Sequence, residues 1–162
     1  MTDLLALLQE FHRDKLAALL RHQAGARLVG AYDFNNTYQY IINREETQLS
    51  WVAKAIEELG GAVPSDVSEM ARQPAGKRAE AARVVMEEDA RDAQAFDDRW
   101  RPRVDAMENA RHAKMLRVIL GEGLEQKRFF EQALAGRTDL LGRREEQLGP
   151  AHGQVLGSRW IE

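Results

Sequence analysis

The sequence contains no cysteine. That absence excludes disulfides, thiolate zinc sites, iron–sulfur clusters and cysteine nucleophiles together. It also lacks an excess of positive charge. The formal net charge is −3, with Arg and Lys interspersed among Glu and Asp, so neither nucleic acid nor an anionic membrane is an expected partner. No apolar run approaches the ~20 residues of a membrane span. The opening "MTDLLALLQEFHRDK" has acidic and basic residues where a signal peptide would place charge first and hydrocarbon after. The expected location is cytoplasmic. There is no Gly-rich phosphate loop, nucleophile motif or Ser-His-Asp order, which makes a hydrolytic or acid–base enzyme the weakest functional class. Proline is scarce, occurring at positions 64, 74, 102 and 150 only.

What the sequence has is helical spacing. At 162 residues and 44% hydrophobic content, one domain with a sizeable core is predicted. The first helix is read from about Asp3 to about Tyr32, with Thr2 or Asp3 as its N-cap. "DFNNT" (33–37) is the expected break, since Asp and Asn prefer caps and turns; Gly25 and Gly30 allow an earlier one. The second helix runs to Leu59 and stops at "GG". The long connector "GGAVPSDVSEMARQPAGK" (60–77) could, at ~3.3 Å per extended residue, run the length of a helix of about 24 residues.

The third helix spans roughly Lys77 to Trp100. Pro102 is placed in the first turn of the fourth, where its missing N–H costs nothing, and that helix continues to about Leu134. The expected architecture is all-α: a four-helix bundle over 1–136 with one crossover, followed by a C-terminal tail (137–162) packing on the bundle or a partner subunit, with Trp160 as an apolar anchor. Setting Glu45 on Glu108 aligns "EETQLSWVAKAI" (45–56) with "ENARHAKMLRVI" (108–119). Any two amphipathic helices share that period, however.

Several polar residues fall on the apolar stripes. Glu45 lies between Ile42 and Leu49. Glu88 and Asp92 follow Val85 by one and two turns. Glu108 and His112 continue backward the stripe of Met115, Leu116, Ile119 and Leu120. On the first helix, His22 or Gln23 is the inward residue. Counting about ten residues from each expected break puts His112 opposite Glu88–Asp92, and Glu45 opposite His22 or Gln23, all near one level. Carboxylates buried together would protonate or need a counter-charge. A cation is one resolution, and oxygen ligands with imidazole suit iron or manganese. The candidate metal ligands are therefore His22, Glu45, Glu88, Asp92, Glu108 and His112. Taken singly, each glutamate or aspartate reads more readily as solvated or paired with Arg than as a ligand, and His112 reads equally as a satisfied core histidine. His12 and His152 read as surface residues.

On this layout, over roughly residues 4–135, the chain resembles the ferritin-like superfamily, in particular its rubrerythrin-like members. "REETQLSWVAKAIEELGG" (44–61) is similar to the family's second helix and "NARHAKMLRVILGEGLEQKRFFEQAL" (109–134) to its fourth. The resemblance implies a di-iron or di-manganese centre held by a Glu from each of two helices and a Glu-x-x-His from each of the others. The sequence departs from that pattern, having no Glu-x-x-His. Gln48 or Leu49 stands where the second-helix histidine would be, and Asn109 precedes Ala110-Arg111-His112 in place of a glutamate.

Two functions are thus expected to compete. One is a ferritin-like metalloprotein with one or two ions in an atypical site, serving oxidation, peroxide reduction or metal handling. The other is a metal-free bundle acting as a structural or interaction module. A homodimer is expected by analogy. Acid is expected to separate the two, since a metal-free acidic cluster should gain stability at mildly acidic pH and a metallated one should lose it.

Overall fold

The protein is described by a computed structural model covering residues 3–68 and 71–141. The tail after Leu141, including Trp160, lies outside the described residues. Four helices make up the described fold: α1 (Leu4–Ala26), α2 (Tyr32–Glu58), α3 (Arg78–Asp105) and α4 (Ala110–Leu134), with no strand among the described residues.

Local chemistry sets most of the ends. The Asp3 side chain caps α1 by accepting from the Leu5 and Ala6 N–H groups. α2 and α4 stop alike. Gly60 and Gly136 take positive φ, 78° and 90°. Gly60 N–H bonds the Glu57 carbonyl while Gly61 N–H reaches back to Ile56, and Gly136 and Arg137 do the same to Ala133 and Gln132. This paired closure satisfies two otherwise orphaned carbonyls, and glycine adopts the left-handed turn without a Cβ clash.

Two boundaries differ from expectation. "DFNNT" is the first turn of α2 rather than the break, which falls at 27–31. The Asn35 amide donates backward to the Ala26 and Val29 carbonyls, so the turn-forming asparagine closes the preceding link from inside the next helix. Pro102 lies in the last turn of α3 rather than the first of α4, and the turn falls at 106–109. Proline removes one N–H from the helical ladder, but Trp100 and Val104 on either side are both fully buried. Packing therefore holds the helix through it.

The helices pair as α1 with α2 and α3 with α4, the two pairs joining through α1–α3 and α2–α4. All four neighbouring pairs run antiparallel. Glu10 meets Arg103 while Arg21 meets Asp92 across α1–α3; Tyr40 meets Phe129 edge to face while Glu58 meets Arg111 across α2–α4. α2 and α3 are consequently parallel, and the 59–77 connector must return along the bundle. It does so beside α1, with Gln9 donating to the Ala62 carbonyl, Arg13 pairing with Asp66, and Arg72 donating to the Arg21 carbonyl.

The core is divided. One apolar cluster gathers Leu19, Tyr38, Ile41, Val85 and Phe130; the other gathers Leu8, Phe11, Ile56, Trp100, Leu116 and Ile119. Both Lys15 and Glu45 are buried: Lys15 falls between the two clusters along α1, whereas Glu45 sits within the first cluster's stretch of α2, between Ile42 and Leu49.

Candidate functional site

The polar layer is built from inward stripe positions. On α1 the buried residues Leu8, Phe11, Lys15, Leu19 and His22 recur every three or four positions, as do Ile41, Glu45, Gln48, Val52 and Ile56 on α2. Glu45 is fully buried, and its two oxygens are used separately. Oε1 contacts His22 Nδ1, and Oε2 lies 3.0 Å from Lys15 Nζ as an ion pair without hydrogen-bond alignment. An ionised carboxylate only accepts, so His22 Nδ1 carries the proton of this contact. The ammonium also lies 5.4 Å from the Phe96 ring centroid, over its negative face. Burial alone would raise the Glu45 pKa, but the attraction of His22 and of the Lys15 ammonium, together with the His22 hydrogen bond, outweighs it and holds the group down to about 2.

Two further carboxylates flank this centre. Fully buried Asp89 accepts from the Tyr38 hydroxyl at 2.5 Å and from Arg72 Nη1 at 2.8 Å. Burial and the Asp89 charge push the Tyr38 pKa upward, keeping the phenol a neutral donor. Arg72, from the connector, also bonds Glu88 at 2.9 Å and the Val85 carbonyl. On the α2–α4 side, Glu122 accepts from Arg44 at 2.5 Å and from Gln48 Nε2.

The six candidate ligands do not share one level. The structure brings His22 and Glu45 into contact, as their expected depth required. Glu88 is drawn outward to Arg72, its side chain 45% exposed. Asp92 pairs with Arg21 Nε at 3.0 Å. Glu108 is exposed in the 106–109 turn and on no helix. His112 is buried, but in the first turn of α4, where Asn109 caps its N–H and bonds its Nδ1 at 2.8 Å. Placing the turn at Pro102 gave His112 too great a depth. With the turn at 106–109, Glu122 is the α4 residue that comes beside Gln48.

Sequence reasoning passed over Lys15, Tyr38, Asp89, Arg72 and Glu122. Lys15 carried a usable signal, since it occupies an inward position between Phe11 and Leu19. Lysine is rarely buried unless paired, and its partner lies thirty positions away. His12, read as a surface residue, is buried, and burial together with Arg13 lowers its pKa.

A bound di-iron or di-manganese centre would need several carboxylates free to converge. Among the described residues no three His, Asp or Glu side chains are grouped to hold an ion. Both oxygens of Glu45 face protein donors, one of them an ammonium that would repel a second cation at ion-pair distance. This donor set does not fit the metal centre that the family resemblance implies. No family model, curated protein or solved structure matches the chain.

Proposed function

We propose that the protein is a metal-free helical bundle of ferritin-like layout, working as a structural or protein-interaction module. The observation that carries this reading is the Lys15 ammonium on Glu45 Oε2, inside the core. A ferritin-like interior needs positive charge among its carboxylates; here that charge is supplied covalently, by Lys15 at the centre and by Arg72 and Arg44 on either side. The antiparallel pairs joined by one long crossover support the ferritin-like layout.

With the carboxylates Glu45, Asp89 and Glu122 each committed to protein partners, the bundle acts through its surface. Buried ion pairs add little net stability, because desolvation offsets their attraction. Their role here is to fix the axial register of α1 against α2, since Glu45 reaches both Lys15 and His22 in one stagger.

The test is elemental analysis of protein purified without chelator or affinity-column metal, repeated after anaerobic incubation with ferrous iron. The expected result is no stoichiometric iron, manganese or zinc in either sample. One or two ions per chain, lost on Glu45→Gln, would overturn this reading in favour of a carboxylate–histidine metalloprotein.

A further inference from the structure

Where α3 begins and α4 ends, the bundle opens into a cleft of about 590 Å³. Its walls are Phe34 from α2, Ala82 and Met86 from α3, and Ala133 and Leu134 from α4. Small side chains leave the slot open, and buried Met86 supplies a pliable floor. This volume falls in the ordinary range of small-molecule sites, and the lining is apolar with few polar groups, as such sites are.

Charge at the mouth selects among apolar ligands. Arg78, the first residue of α3, lines the cleft and rests against Gly30, where an added Cβ would lie 3.2 Å from its Nε. Arg83, also on the rim, pairs with Glu87. Arg72 does not line the cleft and is committed to Asp89 and Glu88. Arg78 makes no ion pair or side-chain hydrogen bond among the described residues. The N-cap residue Lys77 makes no capping bond, and Glu80 in the first turn of α3 offsets the positive potential of the first N–H groups, so the charge that recognises a head group is that of Arg78. A guanidinium presents a planar fork suited to a carboxylate, and one uncommitted guanidinium matches one negative charge.

We propose that this cleft binds a single-chain carboxylate amphiphile, with its head on Arg78 and its hydrocarbon tail along Phe34, Ala82, Met86 and Ala133. The site is separate from the Lys15–Glu45 layer and does not depend on how that layer is read.

The experiment titrates decanoate, decanol and decyltrimethylammonium into the full chain below micellar concentration. It follows heat by calorimetry and the Met86 methyl by NMR. One decanoate per chain with a saturable Met86 shift is expected, with decanol weaker by about tenfold, the loss of one charge-assisted contact, and the cation inert. Arg78→Gln should weaken decanoate by a similar factor and leave decanol unchanged. Ala82→Trp, verified as folded by circular dichroism, should abolish both. Equal binding of all three probes, an unmoved Met86 methyl, or decanoate binding indifferent to both substitutions would each overturn the proposal.

Discussion

The Lys15 ammonium and the Glu45 carboxylate lie 3.0 Å apart inside the core, with side chains 4% and 0% exposed. Neither charge reaches bulk water, so each depends on the other. Lys15→Met should strand Glu45 beside His22 alone and cost roughly 3–5 kcal/mol. The double variant Lys15→Met, Glu45→Leu should recover most of that loss, because both desolvation penalties disappear with the charges. Urea unfolding at pH 7 measures both. Simple additivity of the two single substitutions would show that the pair is not coupled.

Stability should fall in two stages as the solution is acidified. His12 has a lowered pKa in the folded protein, from burial and then from Arg13. The unfolded chain therefore takes up that proton first, and stability drops as pH falls below about 6.5. Glu45 is held down to about 2 against an ordinary value of 4.5. Its contribution is complete above the unfolded value and is lost as pH falls from there toward 2. A metal-free acidic cluster was expected to gain stability in mild acid. The geometry reverses that sign, because Glu45 is paired with the Lys15 ammonium and hydrogen-bonded to His22 rather than crowded by other carboxylates. Denaturation midpoints at pH 7.5, 5.5 and 3.5 should decrease in order and be unchanged by EDTA. His12→Asn should flatten the first stage and Glu45→Gln the second, whereas a maximum near pH 5 would contradict both assignments.

The crossover is tied to the bundle by Arg72, whose side chain is only 8% exposed and bonds Asp89, Glu88 and two backbone carbonyls. Arg72→Met should cost roughly 3–5 kcal/mol by leaving Asp89 with Tyr38 as its remaining partner. Tyr38→Phe, which keeps the ion pair, should cost about 1–3 kcal/mol. Hydrogen exchange separates the two. The arginine variant should lose protection at the start of α3, and the tyrosine variant should not. Equal losses in both would mean that Arg72 does not anchor the connector.

Gly121 lies inside α4, exposed, with nothing within 4 Å of the position a Cβ would take. Gly121→Ala should therefore stabilise the protein by about 0.5–1 kcal/mol through helix propensity alone. A thermal melt at fixed concentration reads the gain. A loss of stability accompanied by a smaller sedimentation coefficient would instead reveal a second chain packed against this backbone.

Much of the fold was legible because it is local. The Gly-Gly stop after Leu59, the Asp3 cap and the end of α4 at Leu134 follow from backbone sterics and orphaned helix-end groups. Asn35 and Pro102 misled because the same residue chemistry serves both sides of a boundary. An asparagine can close the link behind it from within a helix, and a proline can sit in a last turn as well as a first when flanking Trp100 and Val104 are buried.

The sequence by itself determined that there are four helices and that Glu45 lies on an inward stripe, with His22 or Gln23 facing it; it passed over Lys15 and pointed Glu88 and Asp92 inward where Asp89 is the buried carboxylate. Periodicity sets the stripe, since side-chain direction repeats with the helical turn. Only the tertiary structure decided which inward polar groups meet. That depends on axial stagger, and moving the α3–α4 turn from Pro102 to 106–109, about six residues, shifts α4 against its antiparallel partner α3 by twice that, roughly 18 Å at 1.5 Å per residue. The slide takes His112 toward the end of the bundle and brings Glu122 beside Gln48. The positive charge that the buried carboxylates require is supplied by Lys15 and Arg72, with Arg44 serving the half-buried Glu122.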